Sequence, residues 1–295
     1  MKIAVVGSNG QLGNDLVVAF TRSGHEVFPL THADIEISNI DSVSRALTAL
    51  HPDVVINTAA MHNVEKCESE LDKAIAVNVS GPKNLALVAN ELGSVLMHVS
   101  TDYVFDGNKG TPYVEEDAPR PLSSYGVTKL AGEHFVRCTA AKHFVVRTSG
   151  LYGKEPCRAK GGLNFVELML KLARERGEVK VVDSETVTPT STAELAEQLV
   201  VLSQSGSYGL YHATAEGGCS WHEFAHEIFA LTGTQVSLKV AGPNEFPAKV
   251  PRPRYSVLEN QALKNQGLNR FKSWQTGLRV YLGPRVKPQP AEVRV

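Results

Sequence analysis

The sequence predicts an α/β fold, a doubly wound parallel sheet with a smaller domain set over its ligand crevice. Three observations carry this. Short, largely apolar runs (KIAVV, VVIN, SVLMHVS and HFVVRTS) alternate with longer stretches of helical periodicity. Such runs suit strands buried on both faces of a parallel sheet. A glycine-rich turn, GSNGQLG, follows the first run and opens the first helix.

Residues 2–30 read as strand, glycine turn, helix and strand. Gly7, Gly10 and Gly13 stand at G-x-x-G-x-x-G spacing; Leu12, Leu16 and Phe20 then recur at helical spacing. Gly24 ends the helix and EVFPL makes the second strand. Glycines let the backbone approach a pyrophosphate, and a helix N-terminus adds amide donors and positive potential. The plain alternative is a tight strand–helix turn with no ligand; the flanking strand and helix favour a dinucleotide site. In THADIEIS, Asp34 and Glu36 are the candidates to receive the adenosine ribose hydroxyls, against the alternative of a solvated turn. No arginine stands just after the second strand to meet a 2'-phosphate, so NADH and NADPH both stay open.

HPDVVINTAAMHNV gives a third strand ending in small residues, where Ala59 and Ala60 let a cofactor lie close. Two helical stretches are expected next, joined near Ser80-Gly81-Pro82. SVLMHVSTDYVF is the fourth strand, with His98 as a core histidine in its middle, and HFVVRTS the fifth. Ligands of open parallel sheets bind beyond the carboxyl ends of the strands, so the glycine turn, Ala60 and Thr101 should share one crevice. Between the last two strands, SSYGVTKLAGE sets Tyr125 and Lys129 on one face of a helix. An ammonium beside a phenol is expected to lower its pKa, so that it can trade a proton with a carbonyl or alcohol; Thr101 could polarise the same oxygen. Any helix can carry this spacing by chance, and the upstream fold gives it weight.

The second half is less regular. Residues 151–162 form a glycine- and lysine-rich loop, a candidate cover for the crevice or a plain linker. Helices are expected in NFVELMLKLARERG, TPTSTAELAEQLVVL and SWHEFAHEIFALTG, strands in VKVVD and YGLYHAT, and a short helix or turn in QALKNQG. Residues 1–150 are expected to form the dinucleotide-binding domain and 151–283 mostly the smaller domain, with the strand near 208–214 returning to the main sheet. Residues 284–295 read as a disordered tail.

Composition narrows the classes of function. A formal net charge of −1 gives no electrostatic reason to expect nucleic acid or an anionic membrane, and no apolar run approaches a membrane span. The four cysteines are far apart and suit reduced thiols of a cytoplasmic protein. His222-Glu223-Phe224-Ala225-His226 matches a zinc-protease pattern, but Phe224, Ile228 and Leu231 mark an apolar helix face that explains the segment without metal. No metal is assigned.

Taken together, GSNGQLG, HPDVVINTAA, STDYVFDG, YGVTKLAGE, RTSGLYG, VTPT, GLYHA and RPRYSVL resemble the extended short-chain dehydrogenase/reductases. Within them the chain looks like the dTDP-4-dehydrorhamnose reductase family, up to about residue 282. The resemblance implies a Rossmann-type fold with a substrate-binding domain and a cofactor of NADPH or NADH. It implies reduction of the C4 keto group of a nucleotide-linked deoxy-sugar, with dTDP-L-rhamnose as product. Gly10, Gln11 and Leu12 would contact the pyrophosphate within the Gly7–Gly13 turn, and Glu36 and Ile37 the adenosine end, favouring Glu36 over Asp34. Ala60, Met61 and His62 would line the cofactor, with Val99 near the nicotinamide. Thr101 and Asp102 would touch the sugar nucleotide. Tyr125 would donate the proton, and Lys129 would hold the nicotinamide ribose and tune Tyr125. Arg252 and Arg254 are candidates for phosphate contacts, against solvated charges on a proline loop.

Two departures stand out. Family members that form a metal-bridged dimer carry an acid in the first helix; Asp15 could be that acid, but the tail offers no partner, which leaves a homodimer possible and unspecified. The best-known members also have a Trp after the Arg-Thr-Ser of the fifth strand, where this chain has Gly150. Leu151, Tyr152 or the 153–162 loop is expected to fill that space, and Gly150→Trp to be tolerated. Two other classes share the motifs: an epimerase or dehydratase with tightly held NAD, and a non-catalytic regulatory subunit resembling the beta subunit of methionine adenosyltransferase.

Overall fold

The computed structural model describes residues 1–157, 161–242, 245–246 and 249–287. Its centre is a six-stranded sheet in the order β10-β5-β4-β3-β1-β2, with every neighbouring pair parallel. The strands are β1 (Lys2–Val6), β2 (Glu26–Leu30), β3 (Val54–Asn57), β4 (Val95–Thr101), β5 (His143–Thr148) and β10 (Gly209–His212). The chain winds outward from β1 to β2, then restarts on the other side of β1 at β3. That reversal opens a crevice at the carboxyl ends of β1 and β3.

Alternation along the strands builds two cores. Ile3 and Val5 of β1 face α1 (Gln11–Arg22) and α8 (Thr192–Ser203), joined by Leu16, Phe20, Leu195 and Leu199. Ala4 and Val6 face the opposite layer of α2 (Ile40–Leu50), α5 (Gly81–Leu92) and α6 (Ser124–Thr139), with Val43, Leu47, Leu85 and Val136. One residue of slip would exchange the faces, so the pattern fixes the register.

A third core lies in the second half. It gathers Val166, Met169, Phe224, Ile228, Trp274 and Leu278 from α7 (Phe165–Glu175), α9 (Trp221–Thr232) and α11 (Trp274–Leu282), together with Tyr152. Three small sheets fasten its edges: β6 (Leu151–Tyr152) with β9 (Thr190–Ser191), β7 (Glu178–Val181) with β12 (Ser237–Val240), and β8 (Thr186–Val187) with β11 (Cys219–Ser220). α10 (Gln261–Asn265) sits against the main sheet, with Leu263 in the same core as Tyr211.

Four expectations need correction. The helical region after β3 does not break at Ser80-Gly81-Pro82. After α3 (Val64–Ser69), α4 (Leu71–Ile75) runs through a π-helical turn at Ala76–Ser80 straight into α5. Pro82, which has no N–H to give, stands just after this π-helical turn, where Gly81 N donates five residues back to Ala76 O. The fourth strand stops at Thr101, because Asp102–Val104 form a 3-10 turn that starts on a Thr101 side-chain cap. α11 has no counterpart among the expected helices; Ser273 caps it by accepting from Thr276 N. The expected tail is partly held: Gly283–Arg285 form a 3-10 turn, Arg285 Nη1 lies 2.7 Å from Glu167 Oε1, and Lys287 N donates to Leu231 O. Residues 288–295 lie outside the described residues.

Candidate active site

The crevice opens over the carboxyl ends of the central strands, with a volume of about 900 Å³. At one end is the glycine turn. Gly7 has φ +81°, and a Cβ there would lie 2.7 Å from Thr58 Oγ1. At Gly13 a Cβ would come within 2.1 Å of Gly7 O, so the turn and α1 touch backbone to backbone. Gly10 differs: the nearest atom to an added Cβ is Gly7 O at 3.3 Å, and the space beyond it is the crevice. Gly10 is also the N-cap of α1 and gives it no side-chain bond. The first-turn amides are thus uncapped where Gly10, Gln11, Leu12 and Gly13 line the cavity. A helix start left open in this way fits a pyrophosphate.

At the adenosine end, Thr31, His32, Glu36 and Ile37 line the cavity. Asp34 turns back instead, accepting from Thr31 N and Oγ1 at 2.8 and 2.7 Å. Glu36 accepts from Ser38 N and Oγ, and its Oε2 lies 3.2 Å from His32 Nδ1. Ala60, His62 and Val99 line the cavity, but Met61 does not. Its N–H donates to Asn78 Oδ1 and its carbonyl accepts from Asn78 Nδ2, each at 2.9 Å, which ties Met61 to the π-helical turn.

Thr101 and Tyr125 meet at the middle of the crevice. Thr101 ends β4, and Ser123 caps α6 by accepting from Gly126 N at 3.2 Å, so Tyr125 enters the first turn beside it. The Thr101 hydroxyl is close enough to act on the phenol, and it favours the ionised form. The Tyr125 phenol is pushed up from its ordinary pKa by burial, with Asp102 adding to the rise. The depression expected from Lys129 therefore does not hold here. The physical reason is that Lys129 Nζ is turned onto Val99 O, at 2.8 Å, and toward His98. A phenol held protonated suits a proton donor.

Asp102 is buried, and burial pushes its carboxyl above the usual range. Thr101 Oγ1 donates to Asp102 Oδ1 at 3.1 Å and Ser149 Oγ to Oδ2 at 2.9 Å. These bonds tie the end of β4 to the residue just after β5. At the outer end, Arg252 lines the cavity and Arg254 does not; the Arg254 carbonyl accepts from Thr186 N.

The far wall holds residues that the sequence reading did not single out. Phe165 and Trp221 line it with ring centroids 4.7 Å apart, and Trp221 Nε1 donates to Glu185 Oε2 at 3.2 Å. They come from two helix starts over 50 residues apart, so no single stretch of sequence shows the pair. Of the groups expected to fill the space at Gly150, Leu151, Pro156 and Cys157 line the cavity, whereas Tyr152 is buried in the third core. Residues 158–160 of that loop lie outside the described residues.

The expected tolerance of Gly150→Trp also needs correction. Gly150 has φ +58°, and a Cβ would lie 2.6 Å from Thr188 O and 3.0 Å from Pro189 Cα. Even Gly150→Ala is expected to cost at least about 1–2 kcal/mol from its left-handed backbone, with the carbonyl contact adding to that. Urea unfolding of Gly150→Ala checks this; unchanged stability would refute it.

The histidine pair of α9 lies away from the crevice, along a groove with Cys219, Glu227 and Trp274. Glu223 is occupied in a capping box, accepting from Ser220 N at 2.8 Å while Ser220 Oγ accepts from Glu223 N. Among the described residues no group of three or more His, Cys, Asp or Glu is arranged to hold a metal ion. Asp15 accepts from Thr192 Oγ1 at 2.5 Å.

A doubly wound parallel sheet with an uncapped glycine turn, and with Thr, Tyr and Lys converging beyond β4, defines an extended short-chain dehydrogenase/reductase. Residues 1–285 match the family model described as the RmlD substrate binding domain, and the chain belongs to that family, the dTDP-4-dehydrorhamnose reductases. It is 39% identical over 284 residues to the spore coat polysaccharide biosynthesis protein SpsK of Bacillus subtilis, covering 96% of this chain and 98% of that one. Among solved structures, it is similar to a dTDP-4-dehydrorhamnose reductase of Clostridium acetobutylicum, with TM-score 0.91, 41% identity, and coverage of 96% and 98%. The dTDP-4-dehydrorhamnose reductase of Bacillus anthracis, solved in complex with NADP, is 35% identical with TM-score 0.91, covering 95% of this chain and 98% of that one.

Proposed function

We propose that this protein is an NAD(P)H-dependent reductase of the C4 keto group of a nucleotide-linked deoxy-sugar, converting dTDP-4-dehydrorhamnose to dTDP-L-rhamnose. The observation that carries the reading is the meeting of Thr101, Tyr125 and Lys129 in the crevice that the open glycine turn also lines. A bound reduced nicotinamide supplies hydride. Glycines 7, 10 and 13 and the start of α1 would hold its pyrophosphate, Glu36 the adenosine ribose, and Lys129 the nicotinamide ribose. As hydride reaches C4, the carbonyl electron pair moves onto oxygen. Tyr125 gives that oxygen its proton, Thr101 steadies it by a hydrogen bond, and the Lys129 ammonium offsets the phenolate left behind. Arg252, which lines the cavity, would meet the pyrophosphate of the sugar nucleotide, and the Phe165–Trp221 wall would border its apolar parts. Four unpaired cysteines suit a reducing compartment, and we take the site of action to be the cytoplasm.

The test is oxidation of NADH and NADPH with a panel of dTDP- and UDP-linked 4-keto-sugars. Turnover of dTDP-4-dehydrorhamnose is expected. Turnover of a different keto-sugar alone would change the substrate and keep the reaction class, whereas no turnover of any would favour a binding subunit. Cofactor retained through gel filtration would favour an epimerase or dehydratase.

Gly10→Val is expected to weaken binding of both coenzymes while leaving thermal stability nearly unchanged. The backbone at Gly10 has φ −89°, which any residue adopts, so the branched side chain would stand in the pyrophosphate cradle at little cost to the fold. Calorimetric titration reads the effect. Unchanged affinity for both coenzymes would sink the cradle assignment.

A further inference from the structure

The hydrogen-bond polarity around Lys129 can be followed atom by atom. Asn57, the last residue of β3, is buried, and its Oδ1 accepts from Ala59 N at 3.1 Å. That bond orients the amide, so Nδ2 faces His98 Nδ1 at 3.0 Å. Asn57 can only donate there, and His98 Nδ1 must accept. A neutral imidazole that accepts at Nδ1 carries its proton on Nε2. His98 is fully buried and neutral, since burial, and then the charge of Lys129, holds its pKa well below the usual range.

The Nε2–H of His98 then points at Lys129 Nζ, 3.4 Å away. Lys129 Nζ also donates to Val99 O at 2.8 Å. An ammonium has three N–H groups and no lone pair, so toward His98 it would set donor against donor. A neutral amine fits: its lone pair accepts from His98, one N–H goes to Val99 O and one is left for the crevice.

We propose that Asn57 and His98 are positioning residues that lock one imidazole tautomer, whose N–H opposes the Lys129 ammonium and favours the neutral amine. The other groups near Lys129 do not reverse this. Tyr125 and Glu133 lie on its own helix, and Glu133 favours the ammonium. The Glu133 carboxylate, however, is shared with Arg147 on β5 and with Ser100 on β4. Asp102, beyond β4, is tied to hydroxyls. Lys129 is 2% exposed, and burial, against the pull of Glu133, brings the amine down to about 8; the opposing His98 N–H acts in the same direction. As pH rises through that value the ammonium is lost, and with it the charge that offsets the Tyr125 phenolate. The consequence for turnover rests on the reductase reading; the protonation behaviour itself does not.

The test is a carbon-13 NMR titration of the whole protein carrying [ε-13C]lysine, with the Lys129 signal assigned by its loss in Lys129→Met. It needs no coenzyme or sugar, so its failure is distinct from a failure of the reductase reading. In wild type, Lys129 is expected to titrate near pH 8, against about 10.4 for ordinary lysines. His98→Gln sets an amide near the position of Nε2 that can turn its oxygen to Lys129, and Asn57→Leu frees the imidazole to change tautomer. Each is expected to raise the midpoint by about one pH unit or more (tenfold or more in the proton equilibrium). Where turnover is measurable, the alkaline limb of kcat/KM should move with it. A wild-type midpoint above pH 10, or a folded His98→Gln or Asn57→Leu protein that titrates where wild type does, would overturn the proposal. A purely structural role would lower Tm and leave the midpoint in place.

Discussion

Tyr125→Phe is expected to cut kcat by about 10²–10⁴-fold, the range of general acid catalysis, while leaving the fold and coenzyme affinity intact. The ring can keep its edge-on contact with Tyr103, at a centroid distance of 5.6 Å, because only the hydroxyl is removed. What is lost is the proton for the new alkoxide. The Thr101 hydroxyl stays; if it turns its one proton from Asp102 to the new oxygen, while still accepting from Tyr103 N, some stabilisation should survive. Steady-state assays beside calorimetric coenzyme titrations separate the two quantities. Wild-type turnover in Tyr125→Phe would show that another group gives the proton. Loss of coenzyme binding would instead mean that the phenol's main part is structural.

Arg147→Leu is expected to destabilise the protein by about 3–5 kcal/mol, because it strands a buried carboxylate. Arg147 on β5 and Glu133 on α6 are 2% and 1% exposed and bond through both guanidinium Nε and Nη2, the shortest contact being 2.7 Å. Ser100 donates to the same carboxylate at 2.5 Å, and the guanidinium lies 5.2 Å from the Phe105 ring centroid. With arginine gone, the carboxylate loses its guanidinium bonds and keeps only the hydroxyl of Ser100 and the more distant charge of Lys129. The double variant Arg147→Leu, Glu133→Leu should recover part of the loss, since removing both charges leaves nothing ionic to bury. Urea unfolding of the two variants decides it. A single variant less than about 1 kcal/mol from wild type would mean that water reaches Glu133.

Much of this fold could be read from residue order because its strands are buried on both faces. KIAVV and VVIN announce themselves without help from distant residues, and GSNGQLG sits where a strand meets a helix. The Tyr125–Lys129 pair was legible for a similar reason, since its spacing is set by one helix. The unread parts depend on contacts far apart in the chain. The Phe165–Trp221 wall needs two helix starts to meet. His98 reads as an ordinary core residue until the third strand supplies Asn57 and the sixth helix supplies Lys129. The phenol's raised pKa follows from enclosure, which no local pattern reveals. Gly150 could be compared with other chains by residue type, but its positive φ and the carbonyl behind it exist only in three dimensions.

The return of β10 to the edge of the main sheet bears on how the chain is made. β5 pairs with β4 on one side and with β10 on the other, yet 60 or so residues separate β5 from β10 in the order of synthesis. At about 5–20 residues per second, a nascent chain carries β5 as an open edge for several seconds. The run Phe144-Val145-Val146 on that edge is fully buried in the finished protein, and an uncovered apolar edge is a template for pairing with other chains. During the same interval one face of the sheet lacks α8, whose Leu195 and Leu199 complete its core. A polypeptide cut after residue 150 should therefore aggregate rather than fold as a free-standing dinucleotide-binding unit, and a ribosome paused in that window would hold this protein at its most vulnerable.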